Sequence, residues 1–184
     1  MSTLSGKNAM VLGGSRGIGA ATVERLVNDG ASVTFTYHGS KAAADAVASK
    51  TSATAVQADS GDREALAALL AQLEVLDILV VSAAIAMVDH SRKLDPAKVD
   101  RMIDVNVRGP YHASVEASRV MNEGGRIVVI GSVNADRIPF PGGAAYAMTK
   151  SALQGMVQGL ARDFGAKGIT VNNIQPGPVD TDMN

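Results

Sequence analysis

The sequence predicts one doubly wound parallel α/β sheet with helices on both faces, and three observations carry that reading. Short β-branched runs alternate with longer helical patterns from end to end. The run LDILVV at 76–81 is apolar on both of its alternating faces, as a strand covered from above and below must be. Between the first strand run and the first helix stands GGSRGIG, residues 13–19, a glycine turn of the kind that holds phosphates in such sheets.

The elements follow in order. NAMVL at 8–12 is the first strand, and a helix runs from about Ile18 to Asn28, closed by Gly30. SVTFTY at 32–37 is the second strand, followed by a helix over about Lys41 to Lys50. TAVQA at 54–58 is the third, with a helix over about Arg63 to Leu73, and 76–81 is the fourth. Asp95 then Pro96 read as an N-cap and a first-turn proline. That helix extends to about Met121, with a bend expected at Gly109-Pro110. RIVVIG at 126–131 is the fifth strand, a Pro- and Gly-rich loop leads to a helix over about Ala144 to Phe164, and GITVNNI at 168–174 is the sixth strand.

Composition narrows the function classes. Lys and Arg number 17 against 18 acids, so no charge bias points to a nucleic acid polymer or a membrane surface. Cys is absent, which removes disulfides and thiolate metal sites, and His38, His90 and His112 show no metal-ligand spacing. No apolar run approaches the roughly 20 residues that span a bilayer, and Met1 to Gly6 lacks the basic start and apolar run of a signal peptide. The expectation is one cytoplasmic domain over residues 1–184, with the eight Met as core filler.

Gly13, Gly17 and Gly19 allow a tight turn, and the helix that follows offers N–H groups and its positive dipole end to a phosphate. A site for NAD usually has an acid about 20 residues on, to accept from the ribose 2′-hydroxyl. Here the second strand ends in Tyr37-His38-Gly39-Ser40-Lys41, with no acid. With Arg16 in the turn, that composition suits a 2′-phosphate and favours NADP(H); otherwise Arg16 and Lys41 are solvated surface charges. Tyr146 and Lys150, in AAYAMTKS at 144–151, stand one helical turn apart. Alone, the pair is either a tuned proton donor or two side chains sharing a helix face.

Further motifs decide more. LGGSRGIG (12–19), Asp59 after the third strand, SAA (82–84), Asn106, Ser132, YAMTK (146–150) and PGPVDT (176–181) stand in the order and spacing of the classical short-chain dehydrogenase/reductase family. The chain resembles that family over essentially its whole length. LGGSRGIGAA, FTYHGSKAA, PYHASVEAS, IGSVNADR and KSALQGM resemble, within it, the subgroup of cyclic-di-GMP-binding biofilm dispersal mediators more than the 3-oxoacyl-(acyl-carrier-protein) reductases.

The resemblance implies a three-layer Rossmann fold and a carbonyl or alcohol substrate. Tyr146 is implied as the general acid, with Lys150 lowering its pKa, Ser132 holding the substrate oxygen, and Asn106 holding a water that links Lys150 to solvent. The implied NADP(H) site takes Gly13, Ser15, Arg16, Gly17, Ile18 and Gly19 from the turn, and Tyr37, His38, Ser40 and Lys41 from the second strand's end. It adds Asp59 and Ser60, Ala83 and Ala84, Tyr146 and Lys150, then Pro176, Gly177, Val179 and Thr181. Asp59 either caps the following helix or, by resemblance, meets the adenine. A homodimer or homotetramer is also implied, packed through 97–121 and 146–164; Ala152, Met156 and Leu160 either supply its apolar contacts or face the sheet. Cyclic di-GMP is the alternative ligand, for a protein that sequesters or signals.

Some positions depart from the family. Leu12 replaces a Thr, Ser82 and Ala84 replace Asn and Gly, and the Ser132–Tyr146 gap is one residue longer than usual. The methyl of Ala84 is expected to crowd backbone near the cofactor ribose, and Ser82 to reach less far than Asn. The family continues past Asn184 with substrate-loop helices and a last strand, which are expected to be missing here.

Overall fold

The computed structural model describes residues 3–181. The chain end at 182–184, where the expectation of a missing last strand begins, lies outside the described residues. Among them, six parallel strands form one sheet in the order β3-β2-β1-β4-β5-β6. The strands are β1 (Asn8–Leu12), β2 (Ser32–Tyr37), β3 (Thr54–Gln57), β4 (Leu76–Val81), β5 (Met121–Ile130) and β6 (Thr170–Ile174). The helices are α1 (Gly17–Asn28), α2 (Lys41–Thr51), α3 (Arg63–Ala71), α4 (Pro96–Ile103), α5 (Gly109–Val120) and α6 (Ala144–Phe164). No helix among the described residues is long and apolar enough to cross a membrane.

Strand alternation sorts the core into two layers. Met10, Leu12, Leu79, Val81, Ile127 and Val129 point to the face covered by Leu66 and Leu70 of α3, Ala113 and Ala117 of α5, and Leu153, Val157 and Leu160 of α6. Ala9, Val11, Val33, Phe35 and Val80 point the other way, against Val23 of α1 and Ala44 and Val47 of α2. Each fully buried Val, Leu, Ile, Phe or Met among these contributes about 2 kcal/mol. Leu12, at the position where the family has Thr, belongs to this core with no exposed surface. On the α1 side the β4–β6 half is less covered: Ile78, Val128 and Ile130 are only partly buried and Ile174 is exposed.

The strand order reverses between β1 and β4, and the carboxyl ends of those two strands form the crevice where open α/β sheets bind ligands. Helix ends behave as read. Gly30 (φ +98°) closes α1 with paired bonds from Gly30 N–H to Val27 and Ala31 N–H to Leu26. Asp95 caps α4 by accepting from Ala97 N–H at 3.0 Å.

The long helix over 97–121 departs from expectation. It breaks at Asp104–Arg108, a π-helical turn, rather than bending at Gly109-Pro110. Pro110 falls in the first turn of α5, where its missing N–H costs little. Strand β5 starts five residues early: Met121 pairs with Leu76, a bulge with Gly124 at φ +74° follows, and Arg126 re-enters register opposite Ile78.

Candidate active site

The glycine turn is compressed against its neighbours. Gly13 (φ +79°) lies so close to Ala83 that an added Cβ would meet its Cα and N at 2.7 Å. A Cβ at Gly19 would overlap the Gly13 carbonyl oxygen, and one at Gly14 would stand 2.5 Å from Phe35 Cβ. Gly14 is therefore as constrained as the three glycines read from the sequence, and only the GG doublet signalled it. Thr36, buried in β2, holds the turn from below: Gly13 N–H donates to its Oγ1 at 3.0 Å and Gly14 N–H to its carbonyl at 2.9 Å.

The β4 end closes the crevice. The N–H groups of Ser82 and Ala83 both donate to the Leu12 carbonyl at 2.9 Å. Arg16 is the N-cap of α1, and its side chain makes no capping bond. Val179 and Thr181 return to the turn, with Thr181 against Gly17, and line a cleft of about 430 Å³ with Gly17 and Ile18 along α1. Pro176 accepts from Val133 N–H at 3.0 Å, tying that segment to the loop after Ser132.

The ribose end differs in detail from its reading. Lys41 grips both oxygens of Asp45 on its own helix, at 2.9 and 2.8 Å, which raises its pKa. Ser40 is the N-cap of α2 without a side-chain bond. Asp59 does not cap α3. Asp62 does, accepting from Glu64 and Ala65 N–H at 3.0 Å, because it stands directly before the first helical residue. Asp59 Oδ1 instead accepts from Arg101 Nη2 at 2.5 Å and from Gly61 N–H at 2.8 Å, while Oδ2 lies 4.0 Å from His38 Nδ1. Burial would raise this carboxyl, but those two hydrogen bonds together with the charge of the Arg101 guanidinium and His38 outweigh it and hold it below the ordinary carboxylate range.

The catalytic candidates meet where β5 ends and α6 begins. Ser132 is buried; its hydroxyl accepts from Asn134 N–H at 3.1 Å and stands beside the Tyr146 phenol. Lys150 Nζ is 5.7 Å from the centroid of the Tyr146 ring and donates to the Ile130 carbonyl at 2.7 Å. Lys150 is 3% exposed, and burial pushes its pKa down to about 8. Burial also raises the Tyr146 phenol, with the Ser132 hydroxyl opposing that rise. The expected lowering by Lys150 is thus corrected: its ammonium is directed at a backbone carbonyl, and desolvation dominates at the phenol.

Asn106 has partners that its motif did not signal. It sits buried in the π-helical turn, with three side-chain hydrogen bonds to protein. Oδ1 accepts from Ile85 N–H at 2.8 Å; Nδ2 donates to the Ile85 carbonyl at 2.8 Å and to Thr149 Oγ1 at 3.0 Å. Thr149 in turn donates to the Tyr146 carbonyl at 2.7 Å. The side chain is a clamp between the loop after β4 and helix α6, with both of its amide hydrogens given to protein acceptors. Thr149 went unread, although it stands between Tyr146 and Lys150 in the motif itself. Of the two readings open for Leu160, the structure gives the second: it faces the sheet as core, whereas Ala152 is exposed and Met156 half-buried.

An open parallel sheet with a glycine turn at its switch point and a Ser–Tyr–Lys group beside it defines a class, and sequence comparison agrees. Residues 7–184 match the family described as short chain dehydrogenase, and the chain belongs to it. The chain is 57% identical over 184 residues to the Cyclic-di-GMP-binding biofilm dispersal mediator protein of Escherichia coli K12, covering 100% of this chain and 78% of that protein. A crystal structure of BdcA in complex with NADPH superposes with a TM-score of 0.97 at 57% identity, covering 98% of this chain and 74% of that one. A short chain dehydrogenase from Burkholderia cenocepacia J2315 in complex with NADP superposes at 0.96 with 46% identity, covering 98% and 78%.

Proposed function

We propose that the chain is an NADP(H)-dependent oxidoreductase that reduces a carbonyl or oxidises an alcohol. The observation that carries this reading is the convergence of Ser132, Tyr146 and Lys150 beside the crevice, with Asn106 and Thr149 bracing the helix that bears Tyr146. The chain's residues fit the cofactor. Gly13 and Gly19 leave no space for a side chain, so backbone lies bare at the turn, and Arg16 and the α1 N-terminus offer donors for phosphate. Tyr37, His38, Ser40 and Lys41 present no acid to repel a 2′-phosphate, and Asp59 offers an acceptor for the adenine amine. Two structural relatives bound to NADPH and NADP support the same choice.

When bound, NADPH supplies the hydride that adds to the carbonyl carbon. Ser132 donates its hydroxyl hydrogen to the substrate oxygen and holds it in line. Tyr146 passes its phenolic proton to that oxygen, leaving a phenolate. Lys150, charged below about pH 8 and held by the Ile130 carbonyl, stands one turn along α6 with its ammonium 5.7 Å from the centroid of the ring that carries the phenolate. Ile138 and Phe140 cover Gly143, the residue that opens α6, and so give the substrate side an apolar border.

The name of the Escherichia coli relative favours a second reading, in which the chain binds cyclic di-GMP and sequesters it or signals. A site made for one dinucleotide's phosphates and purine offers donors to another. A third, reduction of 3-oxoacyl thioesters, shares the same machinery. We also propose self-association through α4–α5 and the outer face of α6, where Ala152 is exposed. Calorimetric titration separates the ligands: the oxidoreductase reading expects NADPH to bind more tightly than NADH, and Arg16→Ala to weaken NADPH selectively. Equal or tighter NADH binding would reject the NADP assignment. Cyclic di-GMP that binds, is displaced by NADPH, and accompanies no turnover would favour sequestration.

A further inference from the structure

We propose that Arg101 is a positioning residue for adenine recognition, fixing the carboxylate of Asp59 from helix α4 so that the base is read by one committed geometry. The inference rests on the reading that the crevice takes NADP(H). Three features on different elements converge on it. Arg101 Nη2 donates to Asp59 Oδ1 at 2.5 Å, and Gly61 N–H donates to the same oxygen at 2.8 Å. Oδ2 takes no bond from this pair and lies toward the end of β2, 4.0 Å from His38 Nδ1. One oxygen thus belongs to the protein, and the other is aimed toward the ribose end of the crevice.

Gly61 supplies the second observation. A Cβ there would overlap Arg101 Nη1 and stand 3.2 Å from Val105 Cγ2. The loop after β3 therefore lacks a side chain at the place where the guanidinium lies across it. Gly109, which opens α5, packs so closely on the Ser60 carbonyl that a Cβ would overlap it as well. The loop at 59–61 is docked on the same helical segment that carries Asn106.

Stability is a poor explanation for the pair. The Arg101 and Asp59 side chains are 38% and 29% exposed, and ion pairs so placed add little to folding. Orientation is what such a pair supplies. A planar guanidinium fixes the carboxylate's plane as a lysine ammonium does not. A carboxylate kept ionised accepts from an exocyclic amine, so the purine it selects carries an amino group on its six-membered ring.

The test is calorimetry on the full chain with adenosine 2′,5′-bisphosphate and its inosine counterpart, which lacks the amine. The unaltered protein is expected to prefer the adenosine compound. Arg101→Met should weaken that compound about tenfold, leave inosine binding unchanged, and hold the melting temperature near that of the parent. Arg101→Lys should recover part of the preference, and Gly61→Ala should reproduce Arg101→Met by displacing the guanidinium. Arg101→Met that keeps the parent's base preference would overturn the proposal. If Asp59→Ala also keeps it, Asp59 does not read the base and the proposal falls at its root. If the parent binds neither compound, the NADP(H) reading itself fails.

Discussion

Replacing Asn106 by Ala removes one side chain and three hydrogen bonds, two to Ile85 and one to Thr149 Oγ1. Each is worth about 1 kcal/mol, and the Ile85 N–H and C=O would be left without these partners in a half-buried loop. The expected loss is about 3 kcal/mol of folding stability, read as a lower urea midpoint at unchanged slope. Asn106→Asp should be no milder, because it keeps the acceptor for Ile85 N–H but sets an oxygen against the Ile85 carbonyl. The site should suffer too, since Thr149 joins the clamp to the Tyr146 carbonyl. A drop of about 10- to 100-fold in kcat is expected, with the KM for NADPH little altered. Thr149→Val should show a smaller loss, and the pair should be coupled in a double-mutant cycle. An Asn106→Ala protein less than about 1 kcal/mol weaker, with full kcat, would refute the clamp.

Lys150→Met should stabilise the fold relative to the parent at neutral pH, while abolishing turnover. The parent's lysine falls from 10.5 to about 8 on folding, so burying its charge costs about 3 kcal/mol below pH 8, and the cost fades as pH rises to 10.5. Melting curves of the two proteins should therefore converge across that window; a constant gap would contradict the assigned burial. Asp77 is buried at the amino ends of the strands and binds Lys7 Nζ and Asn8 N–H at 2.9 Å and Asn122 Nδ2 at 3.2 Å. Burial raises its carboxyl, but these bonds outweigh burial and lower it, so its contribution is present above about pH 4 and lost as pH falls through the folded value. Asp77→Ala should cost about 2–3 kcal/mol at pH 7, with the gap closing in acid; denaturation midpoints against pH check this. Gly19→Ala should overlap the Gly13 carbonyl and weaken NADPH binding measured by calorimetry at least tenfold.

Strand positions were legible because each buried run is short, β-branched and bounded by a turn residue, and five of the six strands begin within two residues of their reading. The exception is β5, whose early start depends on a bulge that apolar periodicity does not encode. The glycine turn and the Ser132, Tyr146 and Lys150 group were legible as motifs. Their partners were not. Lys150 is held by the Ile130 carbonyl, and a backbone oxygen leaves no mark in a sequence. Asp59 and Asp62 both stand within reach of the α3 N-terminus, and only the chain's path decides which one caps it. Arg101 meets Asp59 across 42 residues, a pairing set by the packing of α4 on the loop after β3. Leu160 and Ala152 lie on one helix, and the sheet's position decides which of them is core.

NADPH consumption, followed by its absorbance over a panel of ketones and 3-oxoacyl thioesters, tests the assignment most directly when the parent and Tyr146→Phe are compared. The phenylalanine variant keeps the ring and loses only the hydroxyl that stands beside Ser132. The parent is expected to oxidise NADPH in step with at least one carbonyl compound, and Tyr146→Phe to lose about a thousandfold or more in kcat while still binding NADPH. Turnover that survives Tyr146→Phe would contradict Tyr146 as the proton donor, and a parent that binds NADPH yet reduces nothing in the panel would contradict the oxidoreductase reading.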